Sequence, residues 1–397
     1  RNIAGDLLEV ELDSQKTISD LKAHVASLWK VPAQCQRLLC GTRVLGDDSE
    51  RLCDQPREER EEDLDSGQDS PWAFDAALSV TMLVSLDAVR ANLEGGYSSN
   101  RAAALRTLAA LGRRGGEVAI VAVAARLEDV EWCVRMKAVE ALPQVTAKGD
   151  QRAVHGLAKR LKDTDKEIRK VALKSLAQVS EQGDACALAA MVASLQDADG
   201  GVQQVALKEL PLVAEVGNAS AVTALVALLE DADRRIRQEA VKALAQVAEK
   251  GNEIAIAALI AHLEDCDKDV KKAALRELAQ VAERGDARAI AALKGCLEDV
   301  DKDVRQVAVS QIAQMAPHGD EAVVNALAVA FEDAEWSVRY QALQVMLQVA
   351  QRGDQHAVMS VCMRLEDADL SVRRAAVEAL AGVAQPGDEA ALEAVAP

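Results

Sequence analysis

Aromatic residues are scarce in this chain of 397: four Trp, two Tyr and two Phe, 2% of the whole. Few rings are therefore on offer to stack nucleobases, and any core must be built from Ala, Val and Leu. Histidine is nearly as rare, with five residues. His155, His262, His318 and His356 fall at different positions of the repeat described below, so no catalytic constellation is visible. Eight cysteines stand at 35, 40, 53, 133, 186, 266, 296 and 362, and none forms Cys-x-x-Cys. Zinc-ligand spacing is absent, and scattered cysteines point to free thiols in a reducing compartment, with the cytoplasm as the expected site. No apolar run approaches the ~18 residues of a membrane-spanning helix. Gly-x-Gly-x-x-Gly, P-loop and nucleophile-elbow motifs are missing. The sequence thus predicts a non-enzymatic protein with no cofactor, no metal and no small-molecule substrate. Positive charge is also in deficit. A net charge of -18 argues against general nucleic-acid binding, because phosphate repulsion opposes association.

What is present is periodicity. Gly149-Asp150, Gly183-Asp184, Gly217-Asn218, Gly251-Asn252, Gly285-Asp286, Gly319-Asp320, Gly353-Asp354 and Gly387-Asp388 recur every 34 residues. Such strictness means a stacked repeat protein, and stacked repeats make long surfaces. In the unit Asn218–Gly251, Asn218 caps a first helix with Val222, Leu225, Val226 and Leu229 on its apolar side. Asp233 caps a second helix with Ile236, Ala240, Val241, Leu244 and Val247. Gly251 ends it in the left-handed conformation that only Gly takes without strain. Nine such hairpins are expected, from about 82–115 through 354–387. The first is the least regular, with Gly95-Gly96 where later units read Leu-Glu-Asp. Asp388–Ala396 begins a tenth first helix, so the chain is expected to be truncated at the C-terminus; opening on Arg1 rather than Met, it is also expected to lack its natural N-terminus, which leaves an organelle possible.

The second helices begin Asp-x-x-Ile/Val-Arg-x-x-Ala, as in Asp165–Ala172 and Asp301–Ala308. This resembles HEAT repeats, in the short form also seen in bilin lyases, and covers residues 86–397. The signatures of tetratricopeptide and ankyrin repeats are absent. The resemblance implies an α-solenoid. It also implies that Asp129, Asp163, Asp197, Asp231, Asp265, Asp299, Asp333 and Asp367 form ladders with the column Arg135, Arg169, Arg237, Arg305, Arg339 and Arg373. A partly exposed rung is worth about 1 kcal/mol.

Residues 1–85 read differently. Leu7–Leu12 alternates as a half-buried strand does. Thr17 can cap a helix bearing Ile18, Leu21, Val25 and Leu28 on one face, and Val31-Pro32 stops it. Gln36–Leu45 reads as two short strands about Gly41, and Leu78–Val84 as a last strand. This order, with Val31–Leu39, Gly41 and Leu45, resembles ubiquitin-like β-grasp domains. Leu39 matches the apolar strand position with which many of them dock partners. An acidic insert over 51–76 departs from that pattern and predicts a mobile loop. The fold class is therefore mainly α: a solenoid of about nine hairpins behind a small α+β domain.

A partner is sought at positions that vary between units. The third hairpin offers Lys166, Lys170 and Lys174, the fifth Arg234 and Lys242, and the sixth Lys268, Lys272 and Arg276. In HEAT-like solenoids the second helices line the inner side, which implies a basic groove suited to a protein partner with an acidic segment. Trp132 and Trp336 share one column, each followed one turn later by an apolar neighbour, Met136 and Tyr340. A Trp in a column otherwise open to Lys and Arg reads as an interface anchor. The expected function is a protein–protein interaction scaffold or accessory subunit of a large assembly. Its rivals are a ubiquitin-pathway adaptor and a bilin-lyase-like chromophore chaperone.

Overall fold

The computed structural model describes residues 16–40, 43–45, 47–51 and 80–395. The expected strand over 7–12, Gly41 and the acidic insert beyond Arg51 lie outside them. Helix α1 (Ile18–Trp29) opens on a reciprocal cap in which Thr17 and Asp20 each accept from the other's backbone N–H. Ile18 and Val25 are buried as expected, whereas Leu28 is 48% exposed. Strands β1 (Gln36–Cys40), β2 (Arg43–Leu45) and β3 (Thr81–Val84) form an antiparallel sheet in the order β2-β1-β3. Alternation along β1 buries Leu38 and Cys40 and turns Arg37 and Leu39 to the other face.

Helix pairs follow. They are α2 (Asp87–Glu94) with α3 (Ser98–Leu111), α4 (Gly116–Ala125) with α5 (Trp132–Val145), and α6 (Gln151–Arg160) with α7 (Lys166–Val179). Next come α8 (Ala185–Ser194) with α9 (Gly200–Val213), α10 (Ala219–Leu228) with α11 (Arg234–Val247), and α12 (Glu253–Ala261) with α13 (Lys268–Val281). The last are α14 (Ala287–Gly295) with α15 (Lys302–Met315), α16 (Glu321–Ala330) with α17 (Trp336–Val349), α18 (Gln355–Cys362) with α19 (Leu370–Val383), and α20 (Glu389–Val395). The chain divides into two compact units, Arg1–Glu181 and Gln182–Pro397. The fold is an α-solenoid with a small N-terminal sheet.

Each recurring residue has a local task. Asn218 and Asp233 cap α10 and α11 by accepting from Ala221 N and Arg235 N. Gly251 sits at φ +84°, and its N–H donates to the carbonyl of Val281, at the end of the next second helix, at 2.7 Å. Helix α11 ends at Val247, with Ala248 extended, so Gly251 is not the helix cap expected of it; its positive φ shapes the turn into Asn252, and its N–H ties that turn to the next second helix. Ile236, Ala240, Val241, Leu244 and Val247 are all buried, on a helix that packs against α10, α9 and α13. Each of the larger ones contributes about 1.5–3 kcal/mol by leaving water.

Candidate partner-binding surface

The Asp and Arg columns meet as rungs between neighbouring hairpins. In the first unit Arg135 pairs with Asp163, and Asp129 pairs with Arg101, which stands one repeat before Arg135 and was not among the expected residues. In the second unit the rungs are Arg237–Asp265, Lys271–Asp299, Arg305–Asp333 and Arg339–Asp367. Their side chains are more buried than expected: Arg305 is 14% and Asp333 7% exposed. Burial alone would raise Asp265. Hydrogen bonds from Arg237 and from the N–H of Asp267 outweigh it and hold the carboxyl below its ordinary range. These columns serve the stack, so the surface for a partner lies elsewhere.

A second ladder runs outside the first. The opening residue of one second helix reaches the cap of the next, 33 residues on. Arg234 meets Asp267 at 2.8 Å, Lys268 meets Asp301 at 3.1 Å, and Lys302 meets Glu335 at 3.5 Å. The hydrogen bond to Asp301 holds the Lys268 ammonium above its usual range. Three more of the expected cations are engaged along their own helices: Lys170 with Glu167, Lys242 with Glu239, and Lys272 with Asp269.

This pairing divides the expected basic surface. Lys166 is exposed and also engaged. Lys174 in the first unit, and Lys208 and Arg276 in the second, are exposed and meet no carboxylate among the described residues. Lys208 is not among the residues expected above, although it stands one repeat on from Lys174 and carries the same signal. Beside Arg276, burial pushes the Glu277 carboxyl up, against the opposing influence of Lys242 and Arg276.

The aromatic positions are open. In the second unit Trp336 is 48% and Tyr340 37% exposed, one turn apart on α17, and in the first unit Trp132 is 57% exposed above half-buried Met136. Leu39 is half-buried on the outer face of the sheet, with Arg37 and Val44 exposed there. The turn after α1 packs on the first hairpin: Gln34 donates to Thr107, and Ser85 N donates to Cys35 O at 2.8 Å. Between α2 and α4 an apolar groove of about 360 Å³ is lined by Leu86, Val89, Leu93, Val118 and Val121. No cluster of His, Cys, Asp or Glu able to hold a metal occurs among the described residues. Nor is any described helix long and apolar enough to cross a membrane.

A family model described as HEAT repeats matches residues 121–211, 188–279 and 256–347. No curated protein sequence matches significantly. Among solved structures, similarity is found to a chain of the one describing how Kap95p binding induces the switch loops of RanGDP to adopt the GTP-bound conformation. The TM-score is 0.53 at 12% identity, over 78% of this chain and 45% of that one. The E. coli protein YibA is similar at 18% identity, over 66% of this chain and 92% of its own, with a TM-score of 0.43. At such identities the likeness is one of fold alone, and this chain spans less than half the length of the first.

Proposed function

The chain belongs to the HEAT-repeat family, and on that premise we propose that it is a non-enzymatic scaffold holding a protein partner along its second helices. The observation that carries this reading is the division of the surface. Cations that serve the stack are paired, whereas Lys174, Lys208 and Arg276 face solvent without a carboxylate partner among the described residues, and Trp132 and Trp336 are exposed. Unpaired cations favour acidic residues in the partner, and exposed Trp side chains are the residue type that dominates interface energetics. Kap95p, named with RanGDP in the fold neighbour, is itself a protein that binds protein.

A photo-cross-linking residue at Gln204 or Gln238, on second helices, is expected to capture a defined protein from native extract. The same residue at Ala257 or Ala291, on first helices, is expected not to. Lys208→Glu/Arg276→Glu and Trp132→Ala/Trp336→Ala are each expected to abolish the capture. Equal capture from both helix sets, or capture indifferent to both double variants, would overturn the reading.

The N-terminal residues favour a second role. A capped helix, Pro32, β1 between β2 and β3, and Leu39 on the outer sheet face together support a ubiquitin-like domain over 1–85 preceding the solenoid over 86–397. On this reading Leu39 docks a ubiquitin receptor and the protein is an adaptor, while the Gln34–Thr107 contact caps the first hairpin. Leu39→Ala is expected to weaken receptor binding in a pull-down without altering the helical circular dichroism. An unchanged pull-down would leave the domain with capping alone.

A further inference from the structure

The outer ladder is interrupted where the tryptophans stand. Arg234, Lys268 and Lys302 each open a second helix and each supply a cation to the acid at the N-cap position of the next. One hairpin later the same place is held by Trp336, and the acid 33 residues on is Asp369. Its Oδ1 accepts from Ser371 N at 2.7 Å and Val372 N at 3.3 Å. Among the described residues no cation meets its carboxylate. In Asp267 and Asp301 it is Oδ2 that takes the cation. The first unit repeats the arrangement: Trp132 opens α5, and Asp165 caps α7 through Glu167 N and Ile168 N and meets no cation among the described residues. Both tryptophans follow a Glu rather than the usual Asp, Glu131 and Glu335, and neither Glu side chain caps its helix. Gly200 also leaves its acid, Asp233, without a cation among the described residues, but the opening residue there is a glycine and not an aromatic.

We propose that Trp336 with Asp369, and Trp132 with Asp165, are receptors for a Lys or Arg side chain of the protein partner, which completes the missing rung from outside. The proposal rests on the scaffold reading and deepens it by naming the partner's chemistry. Equivalent carboxylates in the same chain take cations, so the register at Asp369 and Asp165 is already that of a cation site. By the register of the Arg234–Asp267 and Lys268–Asp301 rungs the indole holds the place of the missing cation, and an indole face there attracts a cation through its quadrupole, with Tyr340 a second ring one turn along the helix. A protein of net charge -18 gains further from a basic group arriving at these places. In the second unit, a partner segment with a basic residue at Trp336 and acidic ones at Lys208 and Arg276 satisfies both readings.

The test is selection of twelve-residue peptides from a random display library on the purified chain. Wild type is expected to enrich peptides with Lys or Arg. Replacing that residue by norleucine, which keeps the stem and removes the charge, is expected to weaken binding about five-fold or more. Trp132→Lys/Trp336→Lys supplies the missing rung in cis. It is expected to keep or raise Tm and to abolish the Lys-over-norleucine preference. Asp165→Asn/Asp369→Asn removes the charge but not the cap, since Asn caps as Asp does, and is expected to abolish the preference too. A preference that survives both double variants overturns the proposal. Enriched peptides without basic residues leave the scaffold standing and sink the inference; no enrichment at all counts against both.

Discussion

Arg237 grips Asp265 through two parallel contacts, Nε to Oδ2 at 2.8 Å and Nη2 to Oδ1 at 2.9 Å. Its third nitrogen, Nη1, donates to the carbonyl of Asp231 at 2.9 Å, while Asp265 also accepts from Asp267 N at 2.8 Å. One rung thus joins the loop of its own hairpin to the start of the next second helix. Removing the guanidinium leaves a carboxylate with 6% of its side chain exposed.

Arg237→Ala is therefore expected to cost about 3 kcal/mol, the range for breaking a buried pair, rather than the lower value of an exposed one. Arg237→Lys is expected to cost only about 1 kcal/mol, since it loses the bidentate geometry and keeps the charge. Lys271 with Asp299 at 2.6 Å is a working example in the same column. Urea unfolding, with hydrogen exchange across α11 and α13 to localise the loss, distinguishes the two.

Acid should unfold the array only well below neutrality. Asp265, Asp333 and Asp367 all lie below the ordinary carboxyl range, held there by Arg237, Arg305 and Arg339 against burial. A carboxyl depressed in the fold stabilises above its unfolded pKa of about 3.9 and loses that contribution as pH falls through the folded value. Tm is expected to stay level from pH 7 to 5 and to fall below about pH 4. A fall already between pH 7 and 6 would count against carboxyl control.

Glu277 should behave in the opposite sense. Burial raises its pKa, so its ionised form weakens the fold as pH rises, and the penalty is absent below the unfolded value. Glu277→Gln is expected to raise Tm at pH 7 and to leave it unchanged near pH 4. An equal gain at both pH values would point to packing instead of charge.

Phe331 is 1% exposed at a place where Leu127, Leu161, Leu195, Leu229, Leu263 and Leu297 are buried in other hairpins. Phe331→Leu is expected to cost under about 1.5 kcal/mol, because the backbone there already accommodates leucine. Phe331→Ala is expected to cost about 3–5 kcal/mol through the cavity it leaves. Chemical denaturation of both variants tests the contrast; equal costs would show that the ring fills a space leucine cannot.

Helix starts were legible in the residues themselves. Asn252 and Asp233 act through caps two or three residues away, so local chemistry decides them. The ends were not: Gly251, expected to end α11, stands four residues beyond its last residue, Val247. The apolar stripe Ile236–Val247 was as plain as the starts, because helical spacing alone selects the buried face. Even the tryptophans announced themselves, by standing in a column otherwise open to charge. Which cations remain free was settled only by tertiary structure. Lys268 and Arg276 look alike along the sequence, yet Lys268 meets Asp301, 33 residues away, and Arg276 meets no carboxylate among the described residues. The same distance hides the incomplete rung at Asp369, whose missing partner is a property of the neighbouring hairpin. Local propensity writes each helix pair, but the balance of charge on the surface depends on how one pair is stacked against the next.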